Sequence, residues 1–108
     1  MITNTITFCQ LLPSLDCCFF PEDLTWESSV FFDIETTGLS PRTSRVYLIG
    51  AIYLPRGASS PILVQYLAED SSDDEEAAVL QAFYNLLADR RYAVHFNGIS
   101  FDVPYLIH

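Results

Sequence analysis

The run Val30-Phe31-Phe32-Asp33-Ile34 is β-branched and aromatic, and the turn residues Thr36-Thr37-Gly38 and Pro41 follow it. That pattern predicts a buried strand over 30–34 that enters a turn. A second apolar run, Arg45 to Leu54, stops at Pro55-Arg56-Gly57, and a third, Ile62 to Leu67, follows Pro61. The connections are short, so the three strands predict an antiparallel meander. From Ser72 the period changes. Val79, Leu80, Phe83, Leu86 and Leu87 recur at the three- and four-residue spacing of a helix lying on a sheet. Ser72 with Glu75 three residues on reads as a capping box, and the acids Asp73 to Glu76 suit the positive end of a helix that runs to about Asp89. Tyr92 to Phe96 predicts a fourth strand and Asn97-Gly98 a turn. A second helix starts near Phe101, because Pro104 is tolerated only in a first turn. Three strands, a helix, a strand and a helix make one α/β layer fold.

Ahead of these elements Met1 to Ser29 shows neither period, and Pro13, Pro21 and the acids from Glu22 to Glu27 interrupt it. Residues 1–25 therefore read as a poorly determined lead-in and 26–108 as the domain; the alternative is a flap in which Leu24 and Trp26 pack onto that domain.

Half of the 108 residues are hydrophobic, enough for one core. The net charge is −9, there is no lysine, and the five arginines (Arg42, Arg45, Arg56, Arg90, Arg91) form no basic stripe. Such a balance argues against nucleic-acid binding, because neutralisation of phosphates by Lys and Arg supplies most of the affinity. The objection weakens if acids hold divalent metal ions, which would sit where a phosphate must come. Cys9, Cys17 and Cys18 have no metal-ligand spacing and read as reduced thiols, so a cytoplasmic protein is expected. No basic start precedes an apolar run as in a secretory signal, and no run reaches the roughly 20 residues of a membrane span.

Asp33 and Glu35 are two apart on a predicted strand, so both side chains leave one face at the end where the turn begins. Burial in an apolar strand requires such carboxylates to be hydrated, hydrogen-bonded or bound to cations, and hard divalent ions prefer oxygen ligands. Alone, D-x-E on a strand end is equally well a solvated pair. A second cluster, His95-Phe96-Asn97-Gly98-Ile99-Ser100-Phe101-Asp102-Val103-Pro104-Tyr105-Leu106, places Asp102 in the first turn of the second helix. The plainer reading of Asp102 is a helix-start acid. His95 reads as a partly buried structural histidine, and Arg90 and Arg91 as helix-end cations rather than phosphate contacts.

F-F-D-I-E-T-T-G-L together with H-F-N-G-I-S-F-D-V-P-Y-L resembles the first two motifs of the DEDD 3′-to-5′ exonuclease superfamily, most of all its bacterial YprB-type ribonuclease-H-like domains. The resemblance spans about Trp26 to His108. It implies a ribonuclease H-like fold with three antiparallel strands, a helix, a parallel strand and a helix, C-terminally incomplete, and with strand order 3-2-1-4-5. It implies two Mg2+ or Mn2+ ions, with Asp33 ligating both, Glu35 one and Asp102 the other. Thr36, Thr37 and Leu39 would line the pocket of a DNA or RNA 3′ end, with Asn97 holding the turn or touching substrate. The products would be nucleoside 5′-monophosphates. The family's fourth acid and its accompanying His or Tyr have no counterpart here, since no carboxylate follows Asp102 and His108 lies too early. The expectation is therefore a weak or inactive nuclease as this chain alone. The acids from Asp70 to Glu76 are a remote substitute for the missing one, since their strand lies two positions, about 10 Å, from that of Asp33. Three alternatives are a non-catalytic fragment that binds metal loosely, pairing with another chain through the open edge of the fourth strand, and an acidic mimic of nucleic acid. The mimic is disfavoured by the expected burial of Asp33 and Glu35.

Overall fold

Alternation along the chain resolves into a single mixed sheet with a helix on one face in the computed structural model, which describes residues 1–7, 22–38 and 44–95. The strands are β1 (Ile2–Thr7), β2 (Ser29–Thr36), β3 (Val46–Tyr53), β4 (Ile62–Leu67) and β5 (Tyr92–His95), and α1 (Asp73–Leu87) lies between β4 and β5. Sheet order is β1-β4-β3-β2-β5, with β5 parallel to β2 and every other pair antiparallel. Without β1 this is the expected meander with a parallel fourth strand beside the first, the α/β arrangement that the ribonuclease H-like resemblance implies. The second helix, predicted from near Phe101, and the end of the fourth strand at Phe96 lie outside the described residues.

One strand was not expected. Ile2–Thr7 pairs antiparallel with β4 from Ile2 against Leu67 to Thr7 against Ile62, so the first residues of the predicted lead-in form a sheet edge. Its six residues are all exposed, which explains the missing period: no face of this strand is buried, so no alternation is required of it. Residues 23–28 are also tied down. Ser28 O accepts the Arg91 and Tyr92 amides at 2.8 and 2.9 Å, Leu24 is buried, and Trp26 lies 5.3 Å from Phe31, the contacts expected of a flap.

Core residues come from one side of the sheet only. Val30, Phe32 and Ile34 of β2, Ile49 and Ala51 of β3 and Val64 of β4 pack against Val79 and Phe83 of α1, with Leu80, Leu86 and Leu87 at the rim. The apolar stripe read from the sequence is thus the stripe the helix buries. Ser72 caps the helix by accepting the Glu75 amide at 3.2 Å. The other half of the expected capping box does not form. Glu75 accepts the Glu69 amide at 2.9 Å and meets the Met1 ammonium, while Asp70 Oδ1 accepts the Ser72 amide. These bonds take the place of the reciprocal contact because they tie the β4–α1 turn and the start of β1 together.

The same bonds set an acid limit on stability. The Ser72 hydroxyl and amide hold Asp70 below its ordinary value of 3.8, and the Glu69 amide, with the Met1 ammonium, holds Glu75 below 4.5. A carboxyl whose folded-state pKa is depressed stabilises the fold above its unfolded value and loses that contribution as pH falls through the folded one. Thermal melts are expected to be level above about pH 5 and to fall steadily below about pH 4. Glu75→Gln should flatten part of that decline; an unchanged profile in this variant would remove Glu75 from the explanation.

Candidate metal and substrate site

β2 carries the site because its alternation sends Phe31, Asp33 and Glu35 to the face opposite the helix, while Phe32 and Ile34 enter the core. Both carboxylates are exposed on that open face. This corrects the expectation of burial: the carboxylates stand on the side of the strand that the helix does not cover. It also removes burial as an argument against the charge-mimic reading. Among the described residues neither the Asp33 nor the Glu35 carboxylate takes part in a hydrogen bond or an ion pair.

The strand bends beside this pair. Glu35 is opposite Leu48 but Thr36 is opposite Val46, so Tyr47 is an extra residue in β3 and the register shifts between Glu35 and Thr36. Bulges of this kind re-aim side chains, and they concentrate near functional sites. The turn beyond is closed by its threonines. The Thr37 amide donates to Arg45 O at 2.9 Å, its Oγ1 accepts the Arg45 amide at 2.8 Å, and the Thr36 hydroxyl donates to Gly38 O at 2.5 Å. Thr36 and Thr37 thereby shape the loop that follows the acids. Leu39, Asn97 and Asp102 lie outside the described residues.

Directly across from Asp33 is Gly50, a residue the strand pattern gave no role. A Cβ built at Gly50 meets nothing within 4 Å, so the glycine leaves a notch beside the carboxylate. Its signal was present, since glycine inside a strand marks a bulge or a close approach of another group. The notch opens into an apolar cleft of about 430 Å³ whose walls include Phe31, Ile52, Leu63 and Val94. That volume falls in the range of small-ligand sites, roughly 300–1,000 Å³.

The described arginines and several of the other acids are committed elsewhere. Glu76 accepts the Val46 amide at 2.7 Å and meets Arg45, which also pairs with Asp73. Helix α1 lies against the core face, so the acids from Asp70 to Glu76 do not join Asp33 and Glu35 and do not substitute for a further ligand. Arg56 pairs with Asp89 at 2.8 Å and Arg91 with Asp23 at 3.2 Å. The Arg90 side chain is only 5% exposed, donates to Glu27 O and lies 5.2 Å from the Tyr53 ring centre, which makes it a structural pin. None of the four described arginines is free for a phosphate. His95 is half-buried, edge-on to Phe32 at 5.5 Å, with Nδ1 unpaired among the described residues. It shares the row of Phe32 rather than that of Asp33.

Two oxygen donors on one face suit a hard cation, but among the described residues no group of three or more possible ligands gathers. No helix there is long and apolar enough to cross a membrane. Among curated proteins none matches the chain. Residues 30–108 match the family model RNase_H_2, described as RNase_H superfamily, which begins at the strand that carries Asp33 and extends through Asp102. With its mixed sheet in the corresponding strand order and most of its length within that match, the chain belongs to the RNase H superfamily.

Proposed function

We propose that this chain carries the first part of a metal-dependent 3′-to-5′ exonuclease site. The observation that supports this most is the disposition of the Asp33 and Glu35 carboxylates: on one face, exposed, without partners among the described residues, next to a bulge, and with Gly50 opposite Asp33. Glu75 and Glu76 serve the fold and are engaged by amides and cations; among the described residues this pair is not. Superfamily membership supports nuclease-type chemistry, and the DEDD motifs quoted above support the exonuclease class within it.

In this reading Asp33, Glu35 and Asp102 are the metal ligands and catalytic acids. Divalent ions, Mg2+ or Mn2+, held by these acids would supply activation of water and stabilisation of the leaving 3′-oxygen. The chain's own part is to hold the acids on a rigid strand backed by the core, and to leave room at Gly50 for the terminal nucleotide. Thr36, Thr37, Leu39 and Asn97 shape its surroundings. With the four described arginines paired elsewhere, phosphate would be drawn by the bound metal, and affinity for nucleic acid would itself be metal-dependent.

The test is removal of nucleotides from 5′-labelled single-stranded and 3′-recessed oligonucleotides, DNA and RNA in parallel, with Mg2+ or Mn2+ and with chelator. Slow stepwise shortening that chelator stops is expected. Complete absence of shortening at high protein concentration would favour the alternative, a non-catalytic ribonuclease H-like fragment that binds metal loosely or pairs with another chain.

A further inference from the structure

We propose that the outer edge of β1 pairs two copies of this chain across a two-fold axis through Asn4. Among the described residues β1 lies at one end of the sheet, and all six of its residues are exposed, Ile2 by 43% and Ile6 by 51%. Sheet edges are ordinarily guarded by charges, proline, bulges or covering elements. Ile2-Thr3-Asn4-Thr5-Ile6-Thr7 has no charge and no proline, and its register with β4 runs without a shift. In a chain with net charge −9, this neutral, mostly β-branched edge stands out.

The occupant follows from symmetry. Residues 2–6 read the same in both directions about Asn4. In an antiparallel pair centred there, Ile2 of one copy meets Ile6 of the other twice, Thr3 meets Thr5 twice, and Asn4 meets Asn4. A two-fold interface requires this self-complementarity. Paired β-branched and threonine side chains are favourable cross-strand neighbours, and two facing amides offer each other both donors and acceptors. Ile2 and Ile6 also continue the rows of Leu67 and Leu63 on β4, so pairing extends an existing apolar surface. At the other edge Tyr92-Ala93-Val94-His95 has no such symmetry, and the Tyr92 hydroxyl is held by Asp23. Self-association therefore belongs to β1 rather than to the fourth predicted strand.

An interface of six residues a side falls below the roughly 1,600 Å² of a stable complex, so the dimer is weak. The net charge of each copy opposes pairing, while Glu69 and Glu75 near the start of β1 are matched by the Met1 ammonium. Added salt screens the repulsion and strengthens the dimer.

Sedimentation velocity over about 10 µM to about 1 mM protein is expected to show monomer passing to dimer, at lower concentration as salt is raised. Asn4→Lys should weaken the dimer at least about tenfold by placing like charges opposite each other. Asn4→Asp should do the same, and an equimolar mixture of the two variants should restore a heterodimer, because position 4 faces itself. Ala93→Lys, on β5, should leave association unchanged. Monomer at every concentration, a dimer indifferent to Asn4→Lys, or one abolished by Ala93→Lys would overturn the proposal, as would failure of the mixed variants to pair.

Discussion

Asp33→Ala is expected to reduce oligonucleotide shortening by roughly 10³-fold while leaving the melting temperature nearly unchanged. The first part follows from the share of transition-state charge that a metal ligand secures, on the order of 4 kcal/mol at 1.36 kcal/mol per decade. The second follows from position. The Asp33 side chain is exposed and makes no hydrogen bond or ion pair among the described residues, so its removal falls among surface substitutions within about 0.5 kcal/mol. Loss of activity with retained stability separates a site residue from a structural one. Asp74→Ala, which removes an exposed acid from the helix face of the sheet, is the matched control for net charge and should leave shortening intact. Equal effects of both variants would assign the activity to overall charge or to a contaminant. Should Asp33→Ala retain full shortening, Asp33 is not a ligand in the reaction.

Phe83→Ala should have the largest effect on folding. Phe83 is fully buried and its ring lies 4.8 Å from that of Phe32, the residue on β2 next to Asp33. Truncating a buried phenylalanine costs about 3–5 kcal/mol through lost burial and the remaining cavity. Domains of this size have about 5–15 kcal/mol of stability, and each kcal/mol shifts melting by roughly 4–8 °C. A fall of some 12–40 °C, read by circular dichroism, is therefore expected. Activity should disappear with folding and not before it, because the strand that carries the acids is supported from behind by this contact. A shift of a few degrees would mean that α1 contributes little to holding β2.

The elements with a buried face were legible in the residues, since burial is what imposes a period. β2, β3, β4 and α1 show it, β5 was read from its β-branched and aromatic residues instead, and the order of these elements gave the class of fold. β1 does not, because its residues are exposed on both sides and its pairing with β4 is decided by tertiary contact alone. The bulge at Tyr47 was equally silent, as one extra residue leaves an apolar run looking unbroken. Of the site, the pairing of Asp33 and Glu35 on one face was readable from their spacing, whereas their exposure was not. A strand period gives which side chains share a side, and only the location of the helix says which side is covered. Gly50 acquired meaning only through register, which brings it opposite Asp33.

The most direct test of the central claim is paramagnetic broadening by Mn2+ of amide signals in the 15N-labelled protein. Substoichiometric Mn2+ should first broaden Asp33, Glu35 and their cross-strand neighbours Gly50 and Leu48, with the effect reduced in Asp33→Asn. Broadening that begins instead at the acids from Asp70 to Glu76, or that is indifferent to Asp33→Asn, would contradict the assignment of Asp33 and Glu35 as the metal-binding pair.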